Sequence, residues 1–199
     1  MIGFSVGSTG TLTIDGVGSL WNAQVNATAI IVGQGGTGFL GITNGAVVET
    51  TGHSGDVEIG FGSGSTGSVT VGSATSPNLA NPSTLTNIGG NNPGTLLVGD
   101  GGNGSLTINK DGAVSGFFGA TLGNQSGSEG TITVNGGTLN VVYLSTGVLT
   151  VGSAGQGTLT IENGGTVTSC FGQIAASPAA RAAARPLPAP ARRGIAPAA

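Results

Sequence analysis

Four titratable side chains, Glu49, His53, Asp56 and Glu58, fall within one short stretch of the chain. Two carboxylates flanking a glycosidic bond can cleave it, one as general acid and the other as base or nucleophile. Carboxylates beside an imidazole can also ligate a metal ion. The competing account is a solvated turn. Val57 and Ile59 share the parity of inward-facing strand positions, which would turn Asp56 and Glu58 to water. No further titratable group converges on this stretch, so no catalytic, cofactor-binding or metal-ligating residue is assigned, and no enzymatic activity is expected.

Other chemical motifs match in letters but not in context. The spacing GxGxxG occurs at Gly33-Gly35-Gly38, at Gly62-Gly64-Gly67 and at Gly99-Gly101-Gly104. A dinucleotide site needs a helix after those glycines so that its N-terminus meets the pyrophosphate, and here a strand pattern follows each time. Gly3-Phe4-Ser5-Val6-Gly7 spells a nucleophile elbow, yet the equivalent Gly60-Phe61-Gly62-Ser63-Gly64 has glycine in the nucleophile's place. His53 is the only histidine available as a base. Gly101-Gly102-Asn103-Gly104-Ser105 opens like a calcium-binding nonapeptide, but Leu106 stands where a carboxylate ligand belongs.

The elements that carry these residues announce themselves by repetition. GTLTI at 10–14 returns as GFLGI at 38–42, GSVTV at 67–71, GSLTI at 104–108, GTITV at 130–134 and GTLTI at 157–161. An aliphatic-glycine pair precedes each copy: Ile2-Gly3, Val32-Gly33, Ile59-Gly60, Val98-Gly99, Leu122-Gly123 and Val151-Gly152. From that glycine to the one opening the pentapeptide, the spacing runs 7, 5, 7, 5, 7, 5 residues, so the repeating unit is a pair of coils. Within the pentapeptides Leu12 and Ile14 alternate with Thr11 and Thr13, the period of a strand buried on one face. A third apolar segment follows most copies after a glycine turn, as at Asn44–Val48, Asp111–Val114 and Asn163–Val167. Three short strands per coil, stacked along an axis, predict an all-β, right-handed parallel β-helix (β-solenoid) of about six three-stranded coils over residues 1–174. The 73–93 segment, rich in Asn, Pro, Ser and Thr, is expected to bulge as a loop.

Outward-facing residues should then line up. Thr13, Thr70, Thr107, Thr133 and Thr160 form one expected rank, with Thr11, Thr131 and Thr158 beside it. Flat threonine arrays can bind ice, although threonine also suits any exposed strand and pairs well with itself. Phe39 and Gly41 interrupt the array, and serine replaces threonine at 68 and 105.

Composition narrows the partners. The 199 residues include 41 glycines, only 7% are charged, and there is one His and one Cys, which rules out a His/Cys zinc site and a disulfide framework. Residues 1–174 hold all eight acidic groups and only Lys110 among the bases. Nucleic acid, which requires a clustered basic face, is therefore not an expected partner. Arg181, Arg185, Arg192 and Arg193 lie in an Ala/Pro/Arg-rich tail, 175–199, expected to be disordered. No stretch is apolar enough to span a bilayer. The opening Met1-Ile2-Gly3-Phe4 does not read as a signal peptide, and the chain contains no barrel.

Three motifs in this chain carry a family resemblance. VGSAGQGTLTIENGGTV at 151–167, IGFGSGSTGSVTV at 59–71 and GVGSLWN at 16–22 together resemble the roughly 50-residue repeat of bacterial autotransporter passenger domains and PEP-CTERM-associated surface proteins. The resemblance covers about residues 2–170. The tryptophan motif appears once, at Trp21, and its second slot after Val71 holds the 73–93 segment instead. The resemblance implies an exported, cell-surface β-helix, usually attached to a C-terminal outer-membrane barrel. With the repeat and the lack of a catalytic constellation, the expectation is a non-catalytic, adhesin-like passenger module, a fragment of a longer protein at the cell surface or outside the cell. As a stiff spacer it is expected to present side chains and the 73–93 loop to glycans, other cells or abiotic surfaces, and the unpaired strand edges of uncapped coil ends would allow self-association. The alternatives are a polysaccharide-acting β-helix enzyme using Glu49, Asp56 and Glu58, and an ice-binding solenoid.

Overall fold

A computed structural model of the chain describes residues 1–24, 30–51, 56–89 and 93–175. These fold as eighteen short strands with no helix. The first sheet is built from the pentapeptide strands: β1 (Thr9–Asp15), β4 (Thr37–Thr43), β7 (Thr66–Val71), β10 (Asn103–Ile108), β13 (Glu129–Asn135) and β16 (Gln156–Glu162). The second holds β2 (Leu20–Gln24), β5 (Val47–Thr51), β8 (Ser83–Asn87), β11 (Gly112–Ser115), β14 (Thr138–Val141) and β17 (Thr166–Ser169). The third holds β3 (Ile30–Val32), β6 (Val57–Ile59), β9 (Thr95–Val98), β12 (Gly119–Leu122), β15 (Val148–Val151) and β18 (Phe171–Ile174). Every strand pairs in parallel with the strand three positions along the chain, which makes the molecule a three-sided parallel β-solenoid.

Register explains why the sequence repeats as it does. Gly10, Gly38, Gly67, Gly104, Gly130 and Gly157 are successive partners, so every pentapeptide begins at the same height on its coil. Two positions further on, Leu12, Leu40, Val69, Leu106, Ile132 and Leu159 form one inward rank. Trp21, Val48, Leu85, Val114, Leu139 and Val167 form another from the second sheet. Ranks from the three sheets meet in one continuous apolar core, fully buried in the middle coils. The core opens at the last coil, where Ile161 is 51% and Ile174 83% exposed.

The alternating spacing has a physical cause at the corner that joins the third sheet to the first. The seven-residue turns carry a hump closed by a backbone bond, from Ser8, Ser65 and Ser128 N–H to Ser5, Gly62 and Gln125 O at 3.0–3.1 Å, and in the first and third of them the serine hydroxyl adds to it. Ser8 Oγ donates to Ser5 O (2.7 Å) and accepts from Ser5 N–H (3.1 Å), and Ser128 does the same with Gln125 (2.7 and 3.2 Å). A five-residue turn lies flat over each hump. In it Thr37, Asn103 and Gln156 donate backbone N–H to the carbonyls of Ser8, Ser65 and Ser128 at 2.8–2.9 Å. The next long turn then sits on the short one, with Phe61 N–H donating to Gly33 O (2.9 Å) and Glu129 N–H to Gly102 O (3.1 Å). Glycine is required where these layers touch. Gly60 has φ +70, and a Cβ there would run into the backbone of Asn103 and Gly104 in the next coil.

The second corner is bonded by side chains. Asn163 Nδ2 donates to Asn135 Oδ1 (2.6 Å), Asn135 Nδ2 to Asn109 Oδ1 (3.3 Å) and Asn109 Nδ2 to Gly72 O (3.1 Å). At the same corner of the first coils, Asp15 accepts from Thr43 Oγ1 and Asn44 Nδ2, both at 2.7 Å.

Two expectations require correction here. The 73–93 segment is not one loop, because Ser83–Asn87 is β8, a central strand of the second sheet with Leu85 fully buried. The bulge is confined to residues 72–82. Its polar letters concealed a strand whose inward side is Ser83, Leu85 and Asn87, with only the leucine apolar. Asn87 is held inside by donating Nδ2 to Thr50 Oγ1 of the neighbouring strand (2.9 Å). The second correction concerns Glu58, described below. Of the tail 175–199, residues 176–199 lie outside the described residues.

Candidate functional site

The Glu49–Glu58 stretch is divided among different elements. Glu49 projects outward from β5 on the second sheet, where its Oε2 accepts from Asn22 Nδ2 (3.2 Å). Asp56 precedes β6, and its Oδ1 accepts the backbone N–H of Thr95 (2.6 Å), which fastens one coil to the next. Glu58 was expected in water; it is 7% exposed, on the third sheet, with Ile31 and Leu97 as its register neighbours. Strand parity does point it away from the core, but Ile31 at the equivalent outward position is buried too, so this part of the third sheet is covered rather than solvated. A signal was present in the sequence: outward positions 31 and 97 are aliphatic. His53 lies outside the described residues. Glu49 and Glu58 thus belong to different faces of the solenoid, and Asp56 to the corner between them.

The glycine motifs are corner turns. Each GxGxxG segment ends in a first-sheet strand, β4, β7 or β10, with no helix dipole to meet a phosphate. Ser5 of the GxSxG match is exposed, and its backbone is engaged with Ser8. Leu106 of the nonapeptide match is fully buried in the core. Asp100, next to that motif, accepts from Asn124 Nδ2 (2.6 Å) and Gln125 Nε2 (3.1 Å) and so serves the turn stack. Among the described residues no group of three or more His, Cys, Asp and Glu side chains could hold a metal ion.

The outward face of the first sheet is where the expected ranks assemble. Thr13, Gly41, Thr70, Thr107, Thr133 and Thr160 are successive partners, and so are Thr11, Phe39, Ser68, Ser105, Thr131 and Thr158. A third rank, Thr37, Thr66, Asn103, Glu129 and Gln156, runs at the strand starts. Between the second and third of these ranks lies an open groove of about 420 Å³ across β7, β10 and β13. Sequence reasoning treated Phe39, Ser68 and Ser105 only as interruptions of a threonine array, because a missing methyl reads as a defect until its neighbours are placed. A smaller hollow of about 250 Å³ lies at the corner between the second and third sheets, lined by Ile88, Pro93 and Tyr143 among others.

The 72–82 bulge is tied down by a residue that sequence reasoning passed over. Asp111, 2% exposed, lies in the following coil and accepts two backbone N–H groups of the bulge, from Ser73 (2.5 Å) and Asn78 (2.9 Å). Leu79 at its tip is 63% exposed.

Among the described residues, fold and surface together define a three-sided parallel β-solenoid with a filled interior, an open polar face and an anchored bulge at 72–82. No protein-family model, curated protein or solved structure matches the chain.

Proposed function

We propose that the chain is a non-catalytic, surface-exposed structural module of the adhesin or passenger type, working as part of a longer exported protein. The observation that carries this reading is the unbroken register of three six-stranded ladders around a single apolar core. Five inter-coil steps at about 4.8 Å give a stiff rod on the order of 25 Å, every coil bonded to its neighbours along three sides. Such a rod holds its side faces and its bulge at fixed positions away from an attachment point. The repeat motifs add support, because they resemble those of passenger domains and bacterial surface proteins. A sparse net charge of −3 favours contact through hydroxyls, amides and small apolar patches over electrostatic capture.

The test is location. An epitope inserted between Ala74 and Thr75, in the exposed part of the bulge, is expected to be labelled by antibody on intact cells that carry the gene. External protease should remove that signal. Labelling that appears only after lysis would overturn the surface assignment.

A further inference from the structure

We infer that the groove on the first sheet is a saccharide-binding subsite that holds a neutral oligosaccharide lying along the solenoid axis. Thr66, Asn103 and Glu129 form one wall and Ser68, Ser105 and Thr131 the other. Its volume of about 420 Å³ falls within the range of small-ligand sites. Gly67 and Gly104 lie between the walls, and the second wall has serine at 68 and 105 where the same rank has threonine at 131 and 158, one methyl fewer on each of two adjacent strands. Phe39 sits in that same rank next to Ser68, on β4 beside the groove, and is 42% exposed on a face otherwise made of polar side chains and glycine.

The chemistry of this surface matches a sugar better than other ligands. A pyranose has an apolar C–H face and a rim of hydroxyls that both donate and accept. Phe39 supplies a ring for the face, whereas the serine and threonine hydroxyls, the Asn103 carboxamide and the Glu129 carboxylate supply both hydrogen-bonding roles for the rim. Lys110 is the only lysine or arginine in positions 1–174, and the wall carries a carboxylate, so an anionic ligand is disfavoured. The floor is preformed: β7 and β10 are central strands, bonded on both edges, so binding need not order the backbone. Ice requires a flat, regular array, and here a projecting ring and a depression interrupt it.

This inference deepens the adhesin reading by naming a ligand class, and it rests on that reading only for its biological setting. Its test is therefore made in solution. The ¹⁵N-labelled chain, 18.9 kDa, is titrated with cellotetraose, chitotetraose and maltotetraose to about 10 mM, enough to fill a weak site substantially. At least one sugar is expected to shift the amides of Ser68, Asn103, Ser105 and Glu129 selectively. The double variant Ser68→Thr, Ser105→Thr fills the groove with a residue the same rank already carries, so the fold should be retained. It is expected to bind about tenfold more weakly or worse, and Phe39→Thr should also weaken binding. The proposal is overturned if none of the three sugars moves these amides, if the double variant binds as the parent does, or if thermal hysteresis appears without sugar binding. A negative result here leaves the cell-labelling result standing, and failed labelling leaves the groove's affinity standing.

Discussion

Glycine at the first corner serves two separable purposes, and a pair of alanine substitutions distinguishes them. Gly60 and Gly64 lie in one seven-residue turn near the middle of the stack, with φ +70 and +77. An L-residue forced into that left-handed region costs about 1–2 kcal/mol at either position. There the likeness ends. A Cβ at Gly64 meets nothing within 4 Å, while one at Gly60 would overlap Asn103 backbone and lie 2.8 Å from Gly104 N. Those atoms belong to the next coil, and they are backbone, so no rotamer can relieve the contact. Displacing them also strains the bonds from Gly101 and Gly102 N–H to Gly60 O (3.2 and 2.9 Å). Overpacking adds about 1–3 kcal/mol. Gly64→Ala should therefore destabilise by about 1–2 kcal/mol and Gly60→Ala by about 2–5 kcal/mol. Chemical denaturation of the whole chain, followed by far-UV circular dichroism, measures both. Equal losses at the two sites would refute the claim that inter-coil crowding fixes glycine at Gly60, and so would a Gly60→Ala chain as stable as the parent.

Two further outcomes follow from side chains that bond across coils. Asp111→Ala removes the acceptor for Ser73 and Asn78, and it should cost about 1–3 kcal/mol; hydrogen exchange at those two amides should accelerate, and unchanged protection would mean that the bulge is held by something else. Asp15 has its carboxyl held below the ordinary value of 3.8 by the Thr43 hydroxyl first and the Asn44 amide second. Because the folded value is the depressed one, these bonds stabilise the fold above the unfolded carboxylate's pKa, and that stabilisation is lost as pH falls through the folded value. Thr43→Val should raise the Asp15 midpoint seen in an NMR pH titration, and an unmoved midpoint would contradict the assignment.

What could be read from the sequence was whatever the solenoid repeats. The pentapeptides, the aliphatic-glycine pairs and the 7/5 spacing are imposed at every coil by register and by corner crowding, so each recurs often enough to be seen. The threonine ranks followed from parity alone. What escaped was local and singular. β8 has only Leu85 as a fully apolar inward residue, and its partner Asn87 is buried through a bond to Thr50 that no pattern foretells. Glu58 was placed in solvent because parity says which way a side chain leaves the sheet, not what lies over it. Asp111 reads as an ordinary Asp-Gly turn, and only the structure shows that its carboxylate serves a bulge 33–38 residues earlier in the chain. The groove was hidden for the same reason, since it depends on side-chain differences among neighbouring strands rather than on any one segment.

The pairing of unlike turns also limits how such a rod can grow. A five-residue turn fits over a serine-closed hump because Gly36, Gly102 and Gly155 leave room for the serine carbonyls beneath them. Gaining or losing one coil would set hump against hump or flat turn against flat turn, and the corner would have no partner of the right shape. Gaining or losing two within the stack keeps the alternation of humps and flat turns at this corner. Length in this architecture is therefore quantised in steps of about 10 Å, and a gene encoding it can lengthen or shorten its product silently only by duplicating or deleting coils in pairs.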